Sequence, residues 1–279
     1  MGFFGKKWAR FAGMVLIGAA AASALYADNV VVTYEPAGIQ APNTAALCAG
    51  ATKCWIGEQT FDTSSVPASG AFPVVATVGS PTGTISGSYS GGLIIYSADV
   101  YGGAGGTGYY PELFATGNGY TLALTTSGNI PGVNYFGMWF SALDAGNELQ
   151  FYEDVGTTDT LVYTFTPQEF QSLVGACSGS NPFCGNPNSP FAGTDNDDAG
   201  EQFAFLNFFD TNGYFNTIAF TEGGGGGFES DNHTVGYQNP ITPSGTVIGA
   251  TPEPGTLALF GTGLLGLAGF VRRKIGRSA

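Results

Sequence analysis

The segment Phe228-Glu229-Ser230-Asp231-Asn232-His233 sets two carboxylates and the chain's single imidazole at alternate positions. Alternate residues of a strand share a face, so Glu229, Asp231 and His233 would project together. A carboxylate pair beside a glycosidic bond can act as acid and nucleophile, which makes a glycan-active hydrolase one reading of this strand. Sandwich glycosidases with a third carboxylate would carry it where His233 stands, so the set is incomplete. The competing explanation, the polar outer face of an edge strand with Phe228 pointing into the core, is preferred. No Gly-x-Ser-x-Gly turn leads into a helix either. The expectation is that the chain is not an enzyme.

A second acidic group, Asp195-Asn196-Asp197-Asp198-Ala199-Gly200-Glu201, places oxygen ligands close together as a calcium loop does. The EF-hand spacing fails, because its fifth and twelfth positions would be Ala199 and Leu206. An irregular calcium site at Asp195, Asp197, Asp198 and Glu201 is therefore set against a solvated polar loop, and the loop is preferred. No other cofactor is expected. The aromatic residues Trp139, Tyr152 and Tyr237 could stack on sugar rings if exposed, although burial in a core explains such residues more often. With them, Glu229, Asp231 and His233 form the candidate glycan contacts. The four cysteines fall into local pairs, Cys48 with Cys54 and Cys177 with Cys184. An even number suits disulfides if the chain is exported, and local pairing is the simplest of three connectivities.

Charge placement bears on export directly. Seven of the eight Lys and Arg residues lie at the two ends, whereas all 21 acidic residues lie between Asp28 and Glu253. Lys53 is the only cation in that interval. Such a body repels nucleic acid, so none is expected as a partner. Lys6, Lys7 and Arg10, the apolar run Phe11 to Leu25 and the small residues Ala22-Ser23-Ala24 read as a secretory signal peptide, over residues 1–27, cut after Ala24 or Ala27. Leu257 to Val271 is apolar and Arg272-Arg273-Lys274 follow at once, so residues 256–271 read as a transmembrane helix with its basic end in the cytoplasm. Fifteen residues are marginal for a span, which suits a temporary anchor better than a permanent one.

Thr251-Pro252-Glu253-Pro254-Gly255 stands immediately before that run. Pro-Glu-Pro, a Gly-rich apolar helix and an Arg-rich cluster, in this order, resemble the PEP-CTERM sorting signal of Gram-negative bacteria. The resemblance covers about residues 251–277, and it implies that Pro252, Glu253, Pro254, Arg272, Arg273 and Lys274 are sorting residues. It further implies an exosortase as partner, the inner membrane as a way station, and the cell surface or an exopolysaccharide matrix as destination. Two prolines deny the backbone a helix and present an extended segment to a processing enzyme. More loosely, Tyr135–Tyr152 and Phe228–Tyr237 resemble an ectodomain type that recurs among PEP-CTERM proteins, which implies an exported β-sandwich.

The elements that would position these residues are strands. With 43% apolar, 14% aromatic and 10% charged residues, the 279-residue chain is too apolar for disorder and too poor in charge for a long helical protein. Strand patterns recur at Asn29–Tyr34, Leu93–Ser97, Tyr120–Leu124, Phe136–Phe140, Glu148–Tyr152, Leu161–Phe165, Phe203–Phe208, Asn216–Thr221 and Phe228–Tyr237. Short strands between Gly, Pro, Asn and Asp clusters predict an all-β, antiparallel, jelly-roll-like sandwich over residues 28–237. Thr166-Pro167-Gln168-Glu169 is a capping box, so one short helix is expected at 167–174, stopped by Gly175. Gly102–Gly108 and Gly223–Gly227 read as flexible loop tips, and residues 238–250 as a linker before the sorting signal at 251–279. The whole reads as an exported binding or structural protein of the surface or matrix.

Overall fold

A computed structural model describes residues 30–114, 119–155, 158–178, 180–192, 198–224 and 226–249. The expected signal peptide, the sorting signal with its transmembrane helix, Asp195 and Asp197 lie outside the described residues. In chain order the first strands are β1 (Val30–Tyr34), β2 (Lys53–Gln59), β3 (Gly70–Ala71), β4 (Val74–Val78) and β5 (Ile85–Gly91). Next come β6 (Ile94–Ser97), β7 (Tyr109–Leu113), β8 (Gly119–Thr126), β9 (Tyr135–Ala142) and β10 (Asn147–Val155). The last are β11 (Thr158–Phe165), β12 (Ala204–Asp210), β13 (Thr217–Glu222), β14 (Phe228–Asn239) and β15 (Thr246–Gly249). A one-turn helix α1 (Thr44–Leu47) and the helix α2 (Pro167–Val174) complete the set. No helix among the described residues is long and apolar enough to cross a membrane.

The strands form two antiparallel sheets. The first runs β15-β1-β12-β9-β14-β2-β4, with the β6–β7 hairpin joined to β14; the second runs β11-β10-β13-β8-β5-β3. Phenylalanines fill the space between them: Phe136, Phe140 and Phe208 from the first sheet meet Phe151 and Phe220 from the second. Phe151 and Phe208 approach with ring centroids 4.9 Å apart. Each such side chain removes large apolar area from water, and that burial is the main favourable term of the fold.

The first sheet is covered on its other face as well, which is why every residue of β9 and β12 is buried. Leu47 and the Cys48–Cys54 bridge pack with Ile56, Tyr135 and Phe209 on one half of that outer face. Tyr101 and Ala104 lie with Trp139, Phe203 and Phe205 on the other half. The Cys177–Cys184 bridge is also formed, so both local pairs are disulfides.

Three expectations need correction. Residues 238–249 are not a free linker: β14 runs to Asn239, and β15 adds to the edge of β1 through Thr33↔Val247 and Tyr34↔Thr246. The glycines at 102–108 are not a loose tip. Gly102, Gly103 and Gly106 are buried, and the Tyr110 ring lies so close over Gly102 that a Cβ there would sit 2.5 Å from it. Gly227, in the second glycine run, is buried as well and donates to Asp144 Oδ2. Finally α2 starts at Pro167 as expected, but Thr166 makes no side-chain capping bond. Glu169 instead accepts a hydrogen bond from the Tyr163 hydroxyl at 3.1 Å, so the reciprocal box does not close.

Candidate functional site

β14 is a central strand, not an edge. On one side it pairs with β9, and on the other it is shared between β2, along His233–Asn239, and β7, at Phe228 and Glu229 only. Residues 230–232 therefore have no ladder partner on that side. The pairing with β9 slips at the same place, between Asp231 and Thr234, and Asn232 takes the left-handed conformation with φ 51°. An inserted residue of this kind is a bulge, and bulges re-aim the side chains that follow.

The bulge separates the residues that simple alternation would unite. Asp231 faces the outer side of the first sheet, while His233 turns into the space between the sheets. His233 is fully buried there, stacked on Phe220 with centroids 5.2 Å apart and edge-on to Phe61 at 4.9 Å. Its ring nitrogens share hydrogen bonds with the Tyr89 hydroxyl at 3.0 Å and with Ser230 Oγ at 2.9 Å. Burial lowers its pKa to about 3, so the ring is neutral, with one nitrogen donating and the other accepting. A serine–histidine hydrogen bond is the beginning of a nucleophilic pair. Here neither residue exposes any surface, and the pair is a satisfied polar knot in an aromatic core.

Glu229 is placed apart from both. It stands opposite Glu112 of β7, and its Oε2 is buried without a hydrogen-bond partner. Burial first, then repulsion by Glu112, Asp144 and Glu201, raises its pKa to about 10, so it holds its proton at neutral pH. Glu112 is itself raised to about 7 by burial and by Asp99.

Asp231 opens onto a cleft of about 750 Å³ where the ladder is interrupted. One wall is the segment after β1, carrying Glu35, Ile39, Gln40 and Asn43; Thr60 and Asp62 follow β2; Ala104 and Gly105 come from the glycine loop. Cross-bonds fix these walls. Ala104 N–H donates to Asp231 Oδ2 at 2.7 Å, Gly105 N–H to Gln40 Oε1 at 2.8 Å, and Asn232 Nδ2 to the Gln40 carbonyl at 2.7 Å. Asn43 caps α1 by accepting from Ala46 N–H. Burial, opposed by the bonds from the Ala104 and Asn232 N–H groups and assisted by the charges of Asp62 and Glu58, raises the Asp231 pKa to about 7. Glu58, beside Asp62, is also raised to about 7, chiefly by burial.

Of the residues singled out from sequence, the cleft thus gathers Asp231 alone. Glu229 and His233 are buried elsewhere. The three aromatic candidates do not line it: Trp139 lies under Phe203 in the outer layer, and Tyr237 belongs to the main core. Tyr152 is half-buried on β10, where its hydroxyl donates to Gln150 Oε1. Asp198 is committed to the chain itself, since its Oδ2 accepts from Asn186 N–H at 2.6 Å. Among the described residues, no three His, Cys, Asp or Glu side chains converge to hold a metal ion. Sequence reasoning missed Glu35, Gln40, Asn43, Thr60, Asp62 and Asn232, which carry no periodicity and converge only because loops from distant strands meet.

The chain matches the PEP-CTERM protein-sorting motif over residues 250–274. No curated protein matches it significantly. The matched segment begins directly after β15 and contains Pro252-Glu253-Pro254, the apolar run and Arg272-Arg273-Lys274. The chain accordingly carries a C-terminal PEP-CTERM sorting motif, which supports an exported protein and implies processing by an exosortase through a C-terminal membrane-anchored sorting signal.

Proposed function

We propose that the exported chain is a non-enzymatic binding protein of the cell surface or extracellular matrix, and that it takes its ligand in the Asp231 cleft. The observation that carries this reading is the cleft itself, within the range of roughly 300–1,000 Å³ usual for small-ligand sites. It stands where β14 lacks a neighbour, with its walls already tied by hydrogen bonds. A preformed site loses little freedom on binding. The non-enzymatic part rests on the dispersal of Glu229, Asp231 and His233. A hydrolytic pair must flank one bond from accessible positions, and of these three residues only Asp231 reaches the cleft.

The test is a glycan-array and matrix-polysaccharide binding screen of the full chain purified in detergent, beside a variant, Ala41→Trp, that places a large side chain at Ala41 in the cleft lining. Saturable binding that Ala41→Trp abolishes, with no release of new reducing ends, supports the proposal. Hydrolysis that disappears in Glu229→Gln would overturn it in favour of the glycan-active hydrolase.

A further inference from the structure

The side chains that line the cleft include three acids and no base. The cleft's side-chain donors are largely spent inside the walls. Gln40 Nε2 donates to Asn188 Oδ1, Asn232 Nδ2 to the Gln40 carbonyl, and the Thr60 hydroxyl to Asp62 Oδ2. Three carboxyl groups line the cleft, one from each of three segments: Asp231 accepts from the Ala104 and Asn232 N–H groups and Glu35 from Asn207 Nδ2, both buried, whereas Asp62 is exposed to the opening. Among the described residues no cation answers them. Lys53, the only Lys or Arg of the body, is exposed at the far end of β2, where it pairs with Asn239.

Resting on the binding role proposed above, we infer that the cleft takes an organic cation, an ammonium group carried on a small polar or alkyl framework. An anionic ligand would meet carboxyl groups and no counter-charge. A bare divalent ion needs several oxygens within about 2.6 Å of one point. Here the carboxyl groups stand on separate walls of a cleft of about 750 Å³, and no three of them converge. An extended amine spans such a site: its charge pairs with Asp62, the exposed carboxyl, while Pro36, Ile39 and Ala104 cover its carbon framework. Strong field focusing inside a concave, acid-lined wall adds to the attraction.

Calorimetric titration of the full chain in neutral detergent tests this with three probes: spermidine, a glucosamine tetrasaccharide and its fully N-acetylated counterpart. Amine probes should bind saturably and the neutral sugar at least tenfold more weakly. The stronger amine shows whether the cation arrives as a polyamine or on an amino sugar. Asp62 is exposed, so Asp62→Asn keeps the fold and should weaken amine binding about fivefold. Asp159→Asn, on exposed β11 in the other sheet, should leave it unchanged. Equal weakening by both variants would assign the effect to the acidic surface at large and overturn the inference. If the N-acetylated sugar binds as well as the amines and Ala41→Trp blocks it, the cation requirement falls while the binding role stands. If no amine binds, the inference fails outright.

Discussion

Glu112 and Glu229 stand directly opposite each other across the β7–β14 pair, both buried, and the only Lys or Arg among the described residues, Lys53, stands at the other end of β14 opposite Asn239. Like charges in that position repel, so the pair persists by keeping protons. The groups that face it are Asp99 and Tyr110 from the β6–β7 side, Asp144 after β9, and Glu201.

Stability should therefore rise as the medium is acidified from pH 8 toward about 5. Glu112, Asp231 and Glu58 have pKa values near 7, and Glu229 near 10, all above the ordinary carboxyl range. A folded-state pKa above the unfolded value gives stability that is complete below about 4.5 and is lost as pH rises through the folded value. His233 works in the opposite sense. With its pKa lowered to about 3, it favours the fold above about 6.5 and opposes it as pH falls. Several carboxyl groups outweigh one imidazole between pH 7 and 5, each contributing at most about 1.4 kcal/mol per pH unit. Thermal melts should show the maximum near pH 5, and a maximum above pH 7 would contradict this account.

Glu229→Gln keeps the shape of the protonated acid and removes its charge. It should raise stability by about 2 kcal/mol at pH 7 and change it little at pH 4. Urea unfolding at the two pH values measures both. Loss of stability at pH 7 would mean that Glu229 is held as a carboxylate by a cation.

Trp139→Ala should cost about 3–5 kcal/mol, as expected for a large side chain removed from a packed layer. Tyr152→Ala should cost well under half of that. Neither should alter binding in the cleft, since neither residue lines it. Denaturant unfolding and the calorimetric titration check the two halves separately.

Peptide mapping without reductant should recover Cys48 with Cys54 and Cys177 with Cys184 from the exported protein. Loops this short contribute about 2 kcal/mol each on the chain-entropy estimate, so reduction should lower the melting temperature. Millimolar calcium should leave it unchanged, because Asp198 is already engaged by Asn186. A calcium-dependent rise that Asp197→Asn removes would restore the calcium loop.

Much of this architecture is visible in residue patterns, and the failures have specific causes. The alternating runs at β8 and β9 and the Pro167 start of α2 are local signals, and each element forms where its pattern lies. The Asp231–His233 relation is different. One left-handed residue, Asn232, shifts the parity of everything after it, and strand alternation carries no mark of a bulge. β15 was hidden by composition: Thr, Pro, Ser and Gly read as linker, yet Thr246 and Val247 find Tyr34 and Thr33 at a free sheet edge. The capping box was legible but outcompeted, because Tyr163 takes Glu169 first. The cleft is the least legible feature, since its walls come from residues near 35, 62, 104 and 231.

The sorting motif follows the folded body directly in the sequence. β15 ends at Gly249 and the matched motif starts at residue 250. Processing within the motif therefore falls after β15 in the chain, and the processed form should keep that strand. Intact-mass measurement of the exported protein, from a cell that carries an exosortase, tests the account most directly. The predicted mass corresponds to a chain that retains residues 246–249 and ends near Pro252-Glu253-Pro254, without Arg272-Arg273-Lys274; in a strain lacking the exosortase, those basic residues should remain attached. A mature exported form that still carries Arg272-Arg273-Lys274 in the exosortase-positive cell would contradict sorting and leave a simple tail anchor in its place.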